Sequence, residues 1–348
     1  MPAVEDTDVG KLRVVTRDNG AGLSRDLLIV ADALRDEHEV SATRVGPHHL
    51  FNQLQHRWEQ ATHRFRDRFD VQMSLERIYP RLLGSAHRNL LMPNPEWFAP
   101  EWIDLLPRFD QVLCKTRHAQ ALFSALGCDT TYIGFSSVDR LMSEVPRQRA
   151  FFHLAGRSSA KGTAVVLEAW RRHPEWPQLT VVQSARKAPT NRIAGNVRLL
   201  TGYLDDRDLQ RLQNAHRFHV CPSEADGFGH SIAEALSVGA VVLTTDAAPM
   251  NELVDADCGL ILESTPGAPM GLVRRHQVSV AAIEAGVAQA LMLDDLELAR
   301  RGHAARARFL SRRAQFHLQL RAALHVPRDP VPDTLKHPLE ASAPVAVP

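Results

Sequence analysis

Asp226 and Glu234 stand on either side of a glycine turn, Asp226-Gly227-Phe228-Gly229, that opens a short apolar helix closed by Gly239. A turn that feeds into a helix start presents unpaired backbone N–H groups at the positive end of the helix dipole, which makes an anion site. Acids flanking such a site can hold the hydroxyls of whatever carries the anion. The combination asks for a sugar joined to a phosphate. A second loop, Gly156-Arg157-Ser158-Ser159-Ala160-Lys161-Gly162, follows the apolar run 150–155. Arg157 offers fixed paired donors and Lys161 a point charge, which suits a diphosphate and the charge it gains as a leaving group. Glu234 has a purely structural alternative. Ser231-Ile232-Ala233-Glu234 spells a capping box, in which the acid only seals a helix end. A helix that starts at Gly229 would instead leave Glu234 past its first turn.

The elements that must position these groups follow a strand–loop–helix rhythm. Runs at 150–155, 179–182, 197–200 and 218–221 read as strands, with helices over 163–172 and 205–215. This is a doubly wound α/β domain. The first half repeats the rhythm. A strand at 11–16 leads through Gly20 and Gly22 into a helix with Leu27, Leu28, Ala31 and Leu34 at helical spacing. Further strands are expected at 69–74, 89–92, 111–114 and 131–133, and helices over 48–68, 75–88 and 117–126. Ligands in such sheets gather outside the C-terminal strand ends. That puts the 18–25 loop, Asn94, Glu96 and Thr116 on one rim, with Glu96 a candidate acceptor contact or base. A dinucleotide site is excluded by Arg25 at the third glycine position and by the missing acid after the second strand, where 38–44 ends in Arg44. The polar stretch 136–149 reads as the linker between the halves.

Composition narrows the class. The chain has 348 residues, room for two cores, and Lys+Arg 41 against Asp+Glu 40 gives no reason to expect nucleic acid. Its four cysteines are scattered, which suits a reduced cytoplasmic enzyme. No leader-like apolar segment stands at the N-terminus, and no run approaches the ~20 apolar residues of a membrane span. The basic face of 48–68 could touch a membrane surface, but Glu59 and Asp67 argue against it. Asp-x-Asp occurs at 6–8, 206–208 and 255–257, each explained by turn or helix-start chemistry, so no metal is expected.

Taken in order, these motifs resemble the retaining glycosyltransferases of the GT-B fold, group one (family 4-like). The residues that carry the resemblance run from Gly156 to Leu262. They are Gly156-Arg157 with Lys161-Gly162, Gly202-Tyr203 before a polar helix, Pro222-Ser223 with Asp226-Gly227-Phe228-Gly229, Glu234-Ala235, Gly239-Ala240-Val241-Val242, 251–254 and Gly259-Leu260. The resemblance implies two Rossmann-like domains facing a cleft, with a C-terminal helix crossing back to the first domain. Its boundaries would be a disordered 1–8, an acceptor-binding domain 9–145, a donor-binding domain 146–309, a crossover helix 310–326 and a Pro-rich tail 327–348. It also implies metal-independent, hexosyltransferase-like transfer from a nucleotide-diphosphate sugar, the co-substrate, with retained configuration and no cofactor. The acceptor would be a glycan, a lipid-linked or a small molecule, as in cytoplasmic carbohydrate biosynthesis. Arg157, Lys161 and Asp226 would be catalytic. Gly20, Gly22, Gly202, Tyr203, Gly227, Phe228, Gly229 and Glu234 would bind donor, and Asn94 and Glu96 acceptor. The family usually has Glu where this chain has Asp226, and often a histidine at the strand end occupied by 94–96. Those departures leave a rival reading, a catalytically weak or inactive sugar-nucleotide-binding protein of the same fold.

Overall fold

A computed structural model describes residues 11–17, 22–35, 40–45, 69–156, 158–187, 193–202 and 204–325. The expected helix over 48–68, the segments 1–8 and 327–348, and Gly20, Arg157 and Tyr203 lie outside the described residues.

The first domain runs β1 (Leu12–Arg17), α1 (Gly22–Leu34), β2 (Val40–Val45), β3 (Phe69–Glu76), β4 (Ala86–Pro93), β5 (Gln111–Cys114), α2 (Arg117–Ala125) and β6 (Thr130–Tyr132). Its strands are all parallel, in the order β2-β1-β3-β4-β5-β6. The second runs β7 (Gln148–Gly156), α3 (Thr163–Arg172), β8 (Leu179–Gln183), β9 (Val197–Thr201), α4 (Asp206–Ala215), β10 (His216–Cys221), α5 (His230–Ser237), β11 (Val241–Thr245), α6 (Met250–Leu253) and β12 (Gly259–Leu262). Its parallel order is β12-β11-β10-β7-β8-β9. The strand order therefore reverses between β7 and β10, and the crevice at such a reversal is where doubly wound sheets bind ligands. The loops after β7 and β10 are the two that carry Lys161 and Asp226. A hairpin, β13 (Ser264–Met270) and β14 (Val273–Val278), then leads to α7 (Val280–Met292) and α8 (Asp295–His325).

Central strands such as β5, β8 and β11 are buried along their whole length, as expected of parallel strands covered on both faces. One apolar cluster joins the domains. Phe135, just after β6, meets Phe228 edge-on at 5.2 Å and Phe316 of α8 at 4.9 Å. Each such buried ring is worth about 1.5–3 kcal/mol of transfer free energy. The linker is stitched rather than loose: the buried Arg140 guanidinium donates to Gln213 at 2.8 Å and to both Asp206 oxygens at 2.8 Å. Asp206 is thus occupied, and Asp205 caps α4 by accepting from the Asp208 N–H.

Several expectations need correction. Residues 75–88 are not helical. Leu75, Ile78, Leu82 and Leu83 imitate a helical period, but Pro80 allows only a 3₁₀ turn, Pro80–Leu82, before β4 begins. Leu28, placed on the apolar face of α1, is 65 % exposed. The last helix is one piece from Asp295, not a separate element starting at 310. The capping box around Glu234 does not form, because Gly229, at φ 104°, is the cap of α5 and Glu234 lies beyond the first turn.

Candidate functional site

A cavity of about 390 Å³ opens between the domains, and Lys161, Asp226, Glu234, Asn94 and Glu96 all line it. Five residues chosen for their chemistry, from three loops and helix α5, therefore meet at one place.

The second domain's wall is built on tight backbone. Gly162 adopts φ 65° at the start of α3, and a Cβ there would lie 2.4 Å from the Pro222 carbonyl oxygen, so the two loops press directly on one another. The Glu224 N–H donates to the Ala160 carbonyl at 2.9 Å. That packing sets Lys161 Nζ 2.5 Å from Asp226 Oδ2 and 3.2 Å from Ser223 Oγ. Burial alone would lower the Lys161 pKa, but the Asp226 carboxylate outweighs it and raises the value, so the ammonium keeps its charge. Gly229 gives α5 no side-chain cap, and because the Ile232 N–H already donates to the Gly229 carbonyl, the first-turn groups left to an anion are those of His230 and Ser231. Glu234, 1 % exposed, accepts from Gln213 Nε2 at 2.8 Å and from Ser137 Oγ at 3.4 Å, and is ion-paired with Arg25.

The first domain answers across the cleft. Lys115 Nζ lies 2.5 Å from Asp26 Oδ2 and 2.9 Å from Asn94 Oδ1, while His230 Nε2 contacts Asp26 Oδ1 at 2.7 Å. Burial would push the Asp26 carboxyl up, but Lys115 and His230 outweigh it and hold it well below the usual range. Glu96 has weaker support, from its own backbone N–H and the Lys115 charge, and they are outweighed. Burial first, and the Asp226 charge second, raise its pKa to about 8, and its Oε2 has no hydrogen-bond partner among the described residues. The domains touch at Gly227, where a Cβ would lie 2.7 Å from Asn94 Oδ1 and 2.8 Å from Glu96 Oε2. Two further contacts hold the cleft closed. The Glu252 carboxylate accepts the N–H groups of Arg117 (2.8 Å) and His118 (2.7 Å), capping α2 from the facing domain. The Leu272 N–H at the hairpin tip donates to the Pro95 carbonyl at 2.9 Å.

The remaining predicted positions differ. Gly22 opens α1. Phe228 is buried against Phe135 and His230, so only its backbone can face a ligand. Gly202, at φ 115°, ends the edge strand β9 and is not part of the cavity lining. Sequence reasoning missed Arg25, Asp26, Lys115, His230 and Met270. His230 adjoins a recognised motif and was the one within reach. Among the described residues no three His, Cys, Asp or Glu side chains converge as metal ligands, and no helix is long and apolar enough to cross a membrane.

Two parallel Rossmann-like sheets facing a shared cleft, with a last helix packed on both, define the GT-B fold. The chain superposes on a glycosyltransferase from Rickettsia africae with a TM-score of 0.69 at 15% identity, over 91% of this chain and 97% of that one. HepE from Anabaena, solved in complex with UDP, gives 0.68 at 15%, over 90% and 99%. Sucrose-phosphate synthase from Thermosynechococcus elongatus gives 0.67 at 13%, over 90% and 98%. At such identities the likeness speaks for the fold. Residues 149–275 match the family described as glycosyl transferases group 1. The protein is therefore of GT-B fold, and residues 149–275 of its second domain are similar to group 1 glycosyl transferases. No curated protein matches the sequence.

Proposed function

We propose that the protein is a retaining, metal-independent glycosyltransferase that moves a sugar, of the hexose type, from a nucleotide-diphosphate sugar to an acceptor hydroxyl. The carrying observation is the Lys161–Asp226 pair at the β7/β10 reversal, beside the uncapped start of α5 and with Glu234 in the same cavity. The second domain then holds the donor and the first the acceptor.

Each charge has a task in this reading. Lys161, with Arg157 of the same loop and the α5 N–H groups, stabilises the negative charge that grows on the leaving diphosphate. That is the work a metal would otherwise do. Asp226 holds hydroxyls of the transferred sugar, and Glu234 those of the ribose. The bond from the anomeric carbon to the phosphate oxygen breaks as the acceptor oxygen bonds the same face, and the departing phosphate oxygen takes the acceptor's proton. Known group 1 and UDP-bound relatives of this fold support the donor class. A cytoplasmic setting fits the scattered free thiols, of which Cys114, Cys221 and Cys258 are buried.

The test is release of nucleoside diphosphate from a panel of UDP-, GDP- and ADP-sugars, with and without chelator. Release that survives chelator is expected. Activity abolished by chelator would overturn metal independence, and binding without turnover across a broad acceptor set would overturn the enzyme reading.

A further inference from the structure

Both walls of the cavity carry charge, and the first domain's wall adds a pair of another kind. The 3₁₀ turn Pro95–Trp97 follows β4 and brings two neighbouring side chains of opposite character to the cavity. Glu96 is 5 % exposed and its Oε2 has no partner among the described residues. Trp97 is 53 % exposed. The next residue, Phe98, is buried edge-on against Trp102 at 5.4 Å and Phe123 at 5.2 Å. Phe98 therefore anchors the turn in the core while Trp97 is left at the opening.

The turn is also held from the facing domain. Gly271 at the hairpin tip adopts φ 57°, and a Cβ there would lie 2.5 Å from the Pro95 carbonyl oxygen and 2.7 Å from that of Glu96. Only glycine can sit this close. Met270, beside it, adds an apolar wall to the cavity. Anchored on both sides, the backbone that carries Glu96 and Trp97 is fixed before any ligand arrives, which lowers the ordering cost of binding.

A buried carboxyl oxygen without a partner is costly unless a ligand completes it. An indole combines a wide apolar face with little conformational freedom. Together they match a pyranose, which is apolar on its C–H face and ringed with hydroxyls. A phosphate group finds poor company at this point, because the strongest charge acting on Glu96 is the Asp226 carboxylate.

We propose that Glu96 Oε2 and the Trp97 indole form an acceptor subsite for a sugar ring, whose C–H face lies on the indole and one of whose hydroxyls bonds the carboxyl. The proposal rests on the sugar-transfer reading and makes the acceptor a carbohydrate. With a pKa near 8, Glu96 is neutral at physiological pH and offers an O–H to a hydroxyl lone pair. A glutamine would keep a donor at that point.

The full chain is titrated with methyl glucoside, galactoside, mannoside and N-acetylglucosaminide, alone and with UDP, GDP or ADP, following saturation-transfer NMR and tryptophan fluorescence. At least one glycoside is expected to bind alongside a nucleotide. Trp97→Ala and Glu96→Ala should each weaken it by about tenfold or more, and Glu96→Gln by no more than about threefold. Nucleotide affinity should stay unchanged in all three. The subsite is overturned if Trp97→Ala and Glu96→Ala bind glycosides as well as the parent. It is also overturned if no glycoside binds while dodecyl phosphate or a Ser/Thr peptide does. Glycoside binding abolished by a nucleotide sugar, but not by the matching diphosphate, would place the ring at the donor and overturn the acceptor assignment. Failure of every nucleotide to bind the parent would instead sink the donor reading beneath it.

Discussion

Arg25 of the first domain and Glu234 of the second form an ion pair across the cleft, with Glu234 1 % exposed and Arg25 32 %. The asymmetry gives the pair a direction. Arg25 can turn into solvent, whereas Glu234 stays buried with Gln213 and Ser137 still donating to it. A ligand hydroxyl can therefore take the place of Arg25 without stranding a buried charge.

Glu234→Ala should weaken nucleoside diphosphate binding by about tenfold, near 1.4 kcal/mol, as loss of a charge-assisted hydrogen bond does. Isothermal titration checks it. Lower thermal stability at unchanged affinity would mean that the acid only ties the domains together.

Lys161→Met keeps the apolar stem and removes the charge beside Asp226. Turnover should fall about 10²–10³-fold, the scale for losing one electrostatic donor to a leaving group. Donor KM should change far less, because the charge matters most as the diphosphate departs. Steady-state kinetics with the donor that releases nucleotide fastest would show equal losses in both parameters if Lys161 served binding alone.

Glu96 makes stability depend on pH in a defined direction. The unfolded carboxyl ionises near 4.5, but burial and Asp226 keep the folded one protonated up to about 8. The native state thus holds a proton that the unfolded chain has lost. This group's contribution is fully present below 4.5 and is lost as pH rises through 8. Glu96→Gln should be more stable than the parent by on the order of 1–3 kcal/mol above about pH 8, with no advantage near pH 4. Urea unfolding at the two pH values decides it, and the same gain at both would mean that the charge is irrelevant.

Gly227→Ala should hold the cleft open, since its methyl would meet Asn94 and Glu96 at 2.7–2.8 Å. Transfer should drop about tenfold or more if the chemistry requires the closed form. Small-angle scattering should show a larger radius, while the melting temperature of the second domain stays near the parent value. A compact, fully active variant would show that the approach of the domains at this point is dispensable.

Local patterns were legible in the sequence and distant partnerships were not. The bounds of α3 (Thr163–Arg172) can be read from Gly162 on one side and His173-Pro174 on the other. Lys161, Asp226 and Glu234 stand out for the same reason: a glycine turn and a charged loop advertise themselves over a few residues. Arg25 and Glu234 are 209 residues apart, and Asp26 and His230 are 204 apart. Nothing nearby marks either pair, and Arg25 is conspicuous only as the glycine that a dinucleotide fingerprint lacks. The β13–β14 hairpin is hidden because Pro266, Gly267, Pro269 and Gly271 interrupt the alternation by which strands are recognised. Its register slips between Pro266 and Pro269.

The long helix α8 sets how such a cleft can move. Toward its N-terminal end Arg301 donates to the Gly259 carbonyl and Arg308 to that of Leu253, both in the second domain. Near its other end Arg321 donates to Ala33, and the Leu324 carbonyl accepts from Arg88, both in the first. Thirty-one residues at 1.5 Å each make a rod of about 46 Å. A rod clamped at both ends behaves as a leaf spring. Any parting of the domains must flex it between the clamps or break one set of them.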